Sequence, residues 1–343
     1  MYQNLHRVVL NVQVSGLSGQ QTADLKQSDF AIFVDHQPQK LTLFQSAQDN
    51  STHKPAHVIV VLDEVNNSSG KTKHFRREVE KYLEAGSGPL AHPTSIALFS
   101  GAGMELGAPS KDRAALLADL NRLAGNPRGL SCADTTAVPD CTELKPDLNS
   151  RVCDPNPHLV CLDHLFDSSI TALTSLAQQE VNGSGRVIVI WIGNGWPLLN
   201  EPGFTPDSPE LKASFYRDLV TVSSALTEAH VTLDAVASSE ALPVSPKHAH
   251  DSIFFQGVSN EDHASAASLS LQALAYQSGG LVLTNSKNIA DQIAHCVADS
   301  DSYYSLAFDY PPASQSGEYH SIAVKIDRPD VSVRTRTLYY AEQ

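Results

Sequence analysis

What most constrains this chain is a set of short, almost wholly apolar segments recurring between stretches of helical period. Val58-Ile59-Val60-Val61-Leu62, Ser95-Ile96-Ala97-Leu98-Phe99 and Val187-Ile188-Val189-Ile190-Trp191-Ile192 show no polar alternation, as strands covered on both faces require. Between them, Phe75, Val79, Tyr82 and Leu83 fall on one helix face. Leu116, Leu117, Leu120 and Leu123 mark a second helix, with Ser110 and Asp112 near its start as candidate caps. Leu173 and Leu176 suggest a third. Leu211 to Leu226 reads as a fourth, followed by the strand Val231 to Val236. Leu269 to Tyr276 is helical and stops at Gly279-Gly280. A short strand, Leu281 to Leu283, and a helix over Ile289 to Val297 complete the series. Repeated strand–helix units predict an α/β fold, a doubly wound and mostly parallel Rossmann-like sheet with right-handed crossovers.

The flanks read differently. Val8, Leu10, Val12 and Val14 alternate with polar partners, and so do Phe30, Ile32 and Val34, then Leu41 and Leu43. At the other end Tyr304, Leu306 and Phe308 alternate, then Ile322, Val324 and Ile326, then Val331 and Val333. Neither set has enough strands to stand alone. The expectation is therefore three parts. Residues 1–50 and 303–343 supply the strands of one small antiparallel β module built from both chain termini. Residues 55–300 form the α/β domain, with a Cys- and Pro-rich insertion at 126–161 that is too long for an ordinary connection.

Charge narrows the function. Of 343 residues, 38 are acidic and 24 are Lys or Arg, a net charge of −14, which disfavours nucleic acid and anionic lipid as partners. No apolar stretch is long enough to span a membrane. Catalytic signatures are missing too: there is no Gly-x-Ser-x-Gly, Walker loop or His-Glu-x-x-His. Gly183-Ser184-Gly185 reads as a turn, and His248-Ala249-His250 as surface histidines. Cys132, Cys141, Cys153 and Cys161 lie in one stretch without a Cys-x-x-Cys clamp. Two loop-stapling disulfides are the preferred reading. Free thiols, or a zinc site recruiting His158 or His164, remain open. Cys296, in a helical pattern, reads as a buried free thiol. Disulfides imply an oxidising, extracytoplasmic setting (secreted, periplasmic or cell-surface). No signal peptide precedes the first strand, so this setting requires a leader absent from the sequence as given.

The strand ending in Asp63, the strand Val187 to Ile192 running into Gly193-Asn194-Gly195, and the helix Leu271-Gln272-Ala273-Leu274-Ala275-Tyr276-Gln277-Ser278-Gly279-Gly280 together resemble a von Willebrand factor type A domain. Leu25-Lys26-Gln27-Ser28-Asp29-Phe30 with His36-Gln37-Pro38-Gln39-Lys40-Leu41 resembles the lead-in of type A-related domains of Acidobacteria. Tyr303 to Leu306 with Tyr319 to Lys325 resembles their ending. The resemblance implies a non-enzymatic protein-interaction module of the adhesion type.

In such domains a divalent cation (magnesium, calcium or manganese) is held above the sheet's C-terminal edge. Its ligands are Asp-x-Ser-x-Ser, a Thr from a later loop and an Asp after a middle strand. An acidic partner group completes the shell. Here the first motif reads Asp63-Glu64-Val65-Asn66-Asn67. The corresponding positions are Asp63, Asn67, Asp167 or Ser168, and Asn194. Val65 offers no oxygen and Asn194 removes a charge, so the resemblance implies a degenerate site, no required cofactor and at most a weakly bound divalent cation. Asp63 is expected to bond backbone amides, and Asn67 to order the turn.

Ligands of open α/β sheets bind at the carboxyl ends of strands. Two long loops leave that edge. One carries Trp196, Leu198, Leu199 and Phe204, and the other Phe254 and Phe255. These are the candidate partner-binding residues, with Trp196 either an exposed anchor or packed down on a helix. The alternative function is a metal-dependent hydrolase using Asp63, Asp167 and nearby histidines, which requires those groups to converge in a cleft.

Overall fold

The structure is a computed structural model that describes residues 6–16, 24–46, 56–123, 157–183, 185–197, 208–237, 255–284, 288–300, 303–310 and 313–341. The chain opens with strands β1 (His6–Gly16), β2 (Phe30–Val34), β3 (Gln37–Gln39) and β4 (Leu41–Gln45). The α/β part follows as β5 (His57–Asp63), α1 (Ser69–Glu84), β6 (Thr94–Ser100), β7 (Gly103–Leu106), α2 (Arg113–Arg122), α3 (Pro157–Glu180), β8 (Val187–Ile192), α4 (Pro209–Glu228), β9 (Val231–Val236), α5 (Leu271–Gln277), β10 (Val282–Leu283) and α6 (Ile289–Asp299). The chain closes with β11 (Tyr304–Tyr310), β12 (Glu318–Ile326), β13 (Val331–Arg334) and β14 (Leu338–Ala341).

The central sheet runs β10-β9-β8-β5-β6-β7. All of its pairings are parallel except that of β7, which folds back antiparallel on β6 at one edge. This is the mostly parallel, doubly wound sheet that the apolar runs imply. Burial explains those runs, since every residue of β8 and of β9 is buried. One face is covered by α1, α2 and α6, where Phe75, Val79 and Leu83 pack with Leu116, Leu120 and Ile293. The other face is covered by α3, α4 and α5 through Phe166, Leu173, Phe215, Leu219 and Leu274. Local caps agree with the sequence. Asp112 accepts from the Ala114 N–H at the start of α2, and Ser208 from Leu211 N–H before the proline that opens α4.

The terminal strands do pair with one another, in two antiparallel sheets of four: β13-β1-β11-β4 and β14-β12-β2-β3. Their facing side chains share one core, including Leu10, Val12, Phe30, Ile32, Tyr304, Leu306 and Phe308. The segment from β13 to β14 crosses from one sheet to the other. At the crossing it is fastened to the central domain. Thr337 N–H donates to Gln277 O at 3.0 Å, Arg334 to Gly279 O at 2.6 Å, and Arg336 to Leu226 O and Val231 O. Leu338 and Tyr340 of β14 enter the central core itself.

The Gly279-Gly280 helix stop has a second cause that the sequence does not display. A Cβ on Gly280 would lie 1.8 Å from Leu233 O of β9, and Gly279 has φ +83° with Thr335 backbone 2.6 Å from its would-be Cβ. The pair ends α5, and it also lets two backbones touch.

Candidate functional site

Asp63 is the last residue of β5, so its side chain stands at the C-terminal edge of the sheet, just before the loop that leads to α1. It is 1% exposed. Both carboxylate oxygens are engaged. Oδ1 accepts from the Asn66 backbone N–H at 2.9 Å. Oδ2 accepts from Asn66 Nδ2 at 2.9 Å and from Trp191 Nε1 at 3.1 Å. Burial pushes the Asp63 carboxyl above the usual range, and the donors from Asn66, Trp191 and the Val65 backbone work against that rise. Asn67, also buried, donates from Nδ2 to Asp63 O at 3.0 Å and accepts from Asn194 N–H at 3.4 Å. Asp63, Asn67 and Asn194 are thus brought together where the resemblance places them, and Asn67 does order the turn.

Asp167 stands apart from these contacts. The α3 residue that joins them is Ser169, whose Oγ accepts from Asn66 Nδ2 at 2.9 Å and donates to Leu165 O at 2.7 Å. Asp167 instead lines a cleft of about 550 Å³ with His164, Ser168, Thr171, Asp218 and the β6–β7 turn. Three members of the network, Asn66, Ser169 and Trp191, are not singled out by the sequence reading. One signal was available. A Trp inside an apolar strand needs an acceptor for its N–H, and the neighbouring strand of the same sheet ends in Asp63.

The residues present do not fit a divalent cation. A hard cation asks for six or more oxygens. Val65 is 3% exposed and packs into the core, and N–H groups of Asn66 and Trp191 already point at the Asp63 carboxylate. Among the described residues no three His, Cys, Asp or Glu side chains stand together as a ligand set. The convergence that a metal-dependent hydrolase would need is therefore not formed by them.

The aromatic anchors need correction. Trp196 is 2% exposed and packs edge-on against Trp191, with ring centroids 5.7 Å apart. Phe255 is buried too, edge-on to Tyr276 at 5.2 Å. Neither is an exposed anchor, because a large ring next to a strand terminus gains more from covering the core than from standing in water. Leu198, Leu199, Phe204 and Phe254 lie outside the described residues, as do Cys132, Cys141, Cys153, His248 and His250. Cys161, on α3, is disulfide-bonded, and Cys296 is a buried free thiol.

The opposite edge holds an arrangement with the connectivity of a nucleophile, a base and an orienting acid. His57 Nε2 lies 2.9 Å from Ser95 Oγ, and His57 Nδ1 lies 2.9 Å from Glu180 Oε2. Ser95 is 0% exposed, sealed in β6. With Ser95 sealed in the core, the contacts of the trio tie the end of α3 to the starts of β5 and β6.

No family model and no curated protein matches the sequence. Solved structures do show similarity. One is a von Willebrand factor type A protein from Catenulispora acidiphila, at 10% identity and TM-score 0.37, covering 100% of this chain and 76% of that one. Another is proximal thread matrix protein 1 from the mussel byssus, at 13% identity and TM-score 0.34, covering 73% of this chain. A further structure of the byssus protein, described as having a zinc-occupied MIDAS motif, gives 14% identity and TM-score 0.33. This chain spans about half the length of the byssus protein, 49% in the first structure and 48% in the second. The strand order and helix layers seen here are an α/β architecture of the kind that the von Willebrand factor type A resemblance implies.

Proposed function

We propose that this chain is a non-enzymatic protein-interaction module of the adhesion type, with a degenerate metal-ion-dependent site at the C-terminal edge of its central sheet. One observation carries the reading. Asp63, Asn67 and Asn194 meet at that edge in a hydrogen-bonded cluster in which N–H donors already engage both oxygens of the Asp63 carboxylate. The loops leaving this edge present the partner surface, and Cys161 with Cys132, Cys141 and Cys153 staples the 126–161 insertion in an extracytoplasmic setting. The partner is a protein. The −14 net charge supports a surface without affinity for nucleic acid.

Position-dependent photo-crosslinking tests this. A benzophenone side chain is placed in turn at Ser68 and Ala102, exposed at the C-terminal edge, and at Val181, exposed at the other. Each variant is incubated with an extracellular protein fraction. Saturable adducts from the first two positions and none from Val181 support the reading. Adducts from Val181 alone, or from all three equally, overturn it.

A further inference from the structure

The Asn66 carboxamide nitrogen lies 2.9 Å from Asp63 Oδ2 and 2.9 Å from Ser169 Oγ. It bridges an oxygen at the end of the first buried strand to an oxygen on α3, in a residue 103 positions away. The resemblance places the ligands of a cation on those same two segments, at Asp63 and at Asp167 or Ser168. We propose that the Asn66 amide is a built-in replacement for that cation, which holds the edge in one geometry and makes it independent of divalent metal. The proposal rests on the interaction reading only for the identity of the edge.

The orientation of the amide follows from proton counting. Ser169 has one hydroxyl proton and gives it to Leu165 O at 2.7 Å, so toward Asn66 it can only accept. Ionised Asp63 can only accept as well. An Asn66 oxygen turned this way would face two acceptors, so the NH₂ group must point here, and both of its protons are used. Asn66 Oδ1 points the other way and is buried with no hydrogen-bond partner among the described residues, a cost the chain accepts to keep the donor in place. The other half of the exchange is Val65. Where the adhesion motif would supply an oxygen, this chain supplies an apolar side chain packed in the core. Trp191 adds a third N–H from below. Dipoles tethered to the backbone thus take over the neutralisation of a buried carboxylate that a mobile ion would otherwise provide.

The experiment follows thermal unfolding of the whole chain in chelator and in millimolar magnesium, calcium and manganese, taken separately. Wild type is compared with Asp63→Ala, Asn66→Asp and Asn66→Ser. Asn66→Asp is isosteric but swaps two donors for acceptors. It is expected to lower Tm by roughly 3–8 °C in chelator and to recover much of that loss when a divalent cation is added. Asn66→Ser keeps an oxygen and drops the amide, so it covers the case in which the aspartate variant fails to fold, and it is expected to gain metal-dependent stabilisation of the same sign. Wild type is expected to show no metal response. The proposal is overturned by a wild-type rise in Tm with metal that disappears in Asp63→Ala. It is equally overturned if Asn66→Asp matches wild type in chelator, or if the folded Asn66 variants are destabilised and metal restores none of the loss. None of these readouts involves a partner, so a failure here leaves the crosslinking test of the interaction reading standing.

Discussion

Two buried acids on parallel strands of the central sheet, Asp63 of β5 and Asp234 of β9, behave differently because their donors differ. Asp63 is surrounded by N–H groups, and the Trp191 indole is one that can be removed cleanly. Trp191→Phe keeps a ring between Phe99 and Trp196 and deletes the donor to Oδ2. The expected cost is about 1–3 kcal/mol, read from urea denaturation. Asp234 of β9 is less well served. It accepts from Leu281 N–H at 2.7 Å and from the Cys296 thiol, with Arg334 and Asp299 nearby, and burial pushes its carboxyl from 3.8 up to about 6. The folded state therefore holds this proton more tightly than the unfolded state. The stabilisation is fully present below about pH 4 and is lost as pH rises to about 6, an effect of about 3 kcal/mol. Asp234→Asn keeps an acceptor for Leu281 and cannot ionise. It is expected to flatten the stability profile across that window and to be more stable than wild type at pH 8. A variant less stable than wild type at pH 8 would contradict the assignment.

At the scale of elements, the apolar runs and helix faces were legible because each is local: β5, β6, β8 and β9, and the buried face of α1, follow from residue type and period alone. Strand β7 was not. Only four residues long, half-exposed and alternating, it is fixed by pairing with β6. The site divides in the same way. Asp63, Asn67 and Asn194 were found through the resemblance, from the motif that follows β5 and the turn that follows β8. Ser169 and Trp191 reach the cluster across 103 and 128 residues respectively, a distance over which no sequence period operates. Asp167 or Ser168 was chosen by its distance before Ala172-Leu173, and Asp167 lies two residues, about 200° of helix, from the Ser169 that makes the contact. Backbone contact between elements was equally hidden. Gly280→Ala must displace strand β9 and is expected to cost more than 3 kcal/mol or to prevent folding. Gly70→Ala, in an open position of α1, is expected to stabilise by up to about 1 kcal/mol. Parallel denaturation curves check both.

At the scale of the whole molecule, the β module and the central domain share a core through β14. The two tryptophans, Trp191 and Trp196, both lie in the central domain, so indole fluorescence follows that part alone. Amide exchange along β1 and β11 follows the module. Leu338 is 1% exposed, and Leu338→Ala is expected to cost about 2–5 kcal/mol. Both probes are expected to shift together and to keep a single coincident transition. Separate transitions would show two independently stable bodies.

The module closes on itself around the inserted domain. The start of β1, at His6, is paired with Tyr310 of β11, and the end of β14, at Ala341, is paired with Glu318 of β12. Tension applied along the chain would enter and leave through this sandwich, loading the hydrogen-bond ladders of β1 and β14 in shear. Because Leu338 and Tyr340 of β14 pack in the central core, that load also reaches the central domain. Pulling from the two ends is therefore expected to test the module and the shared core together.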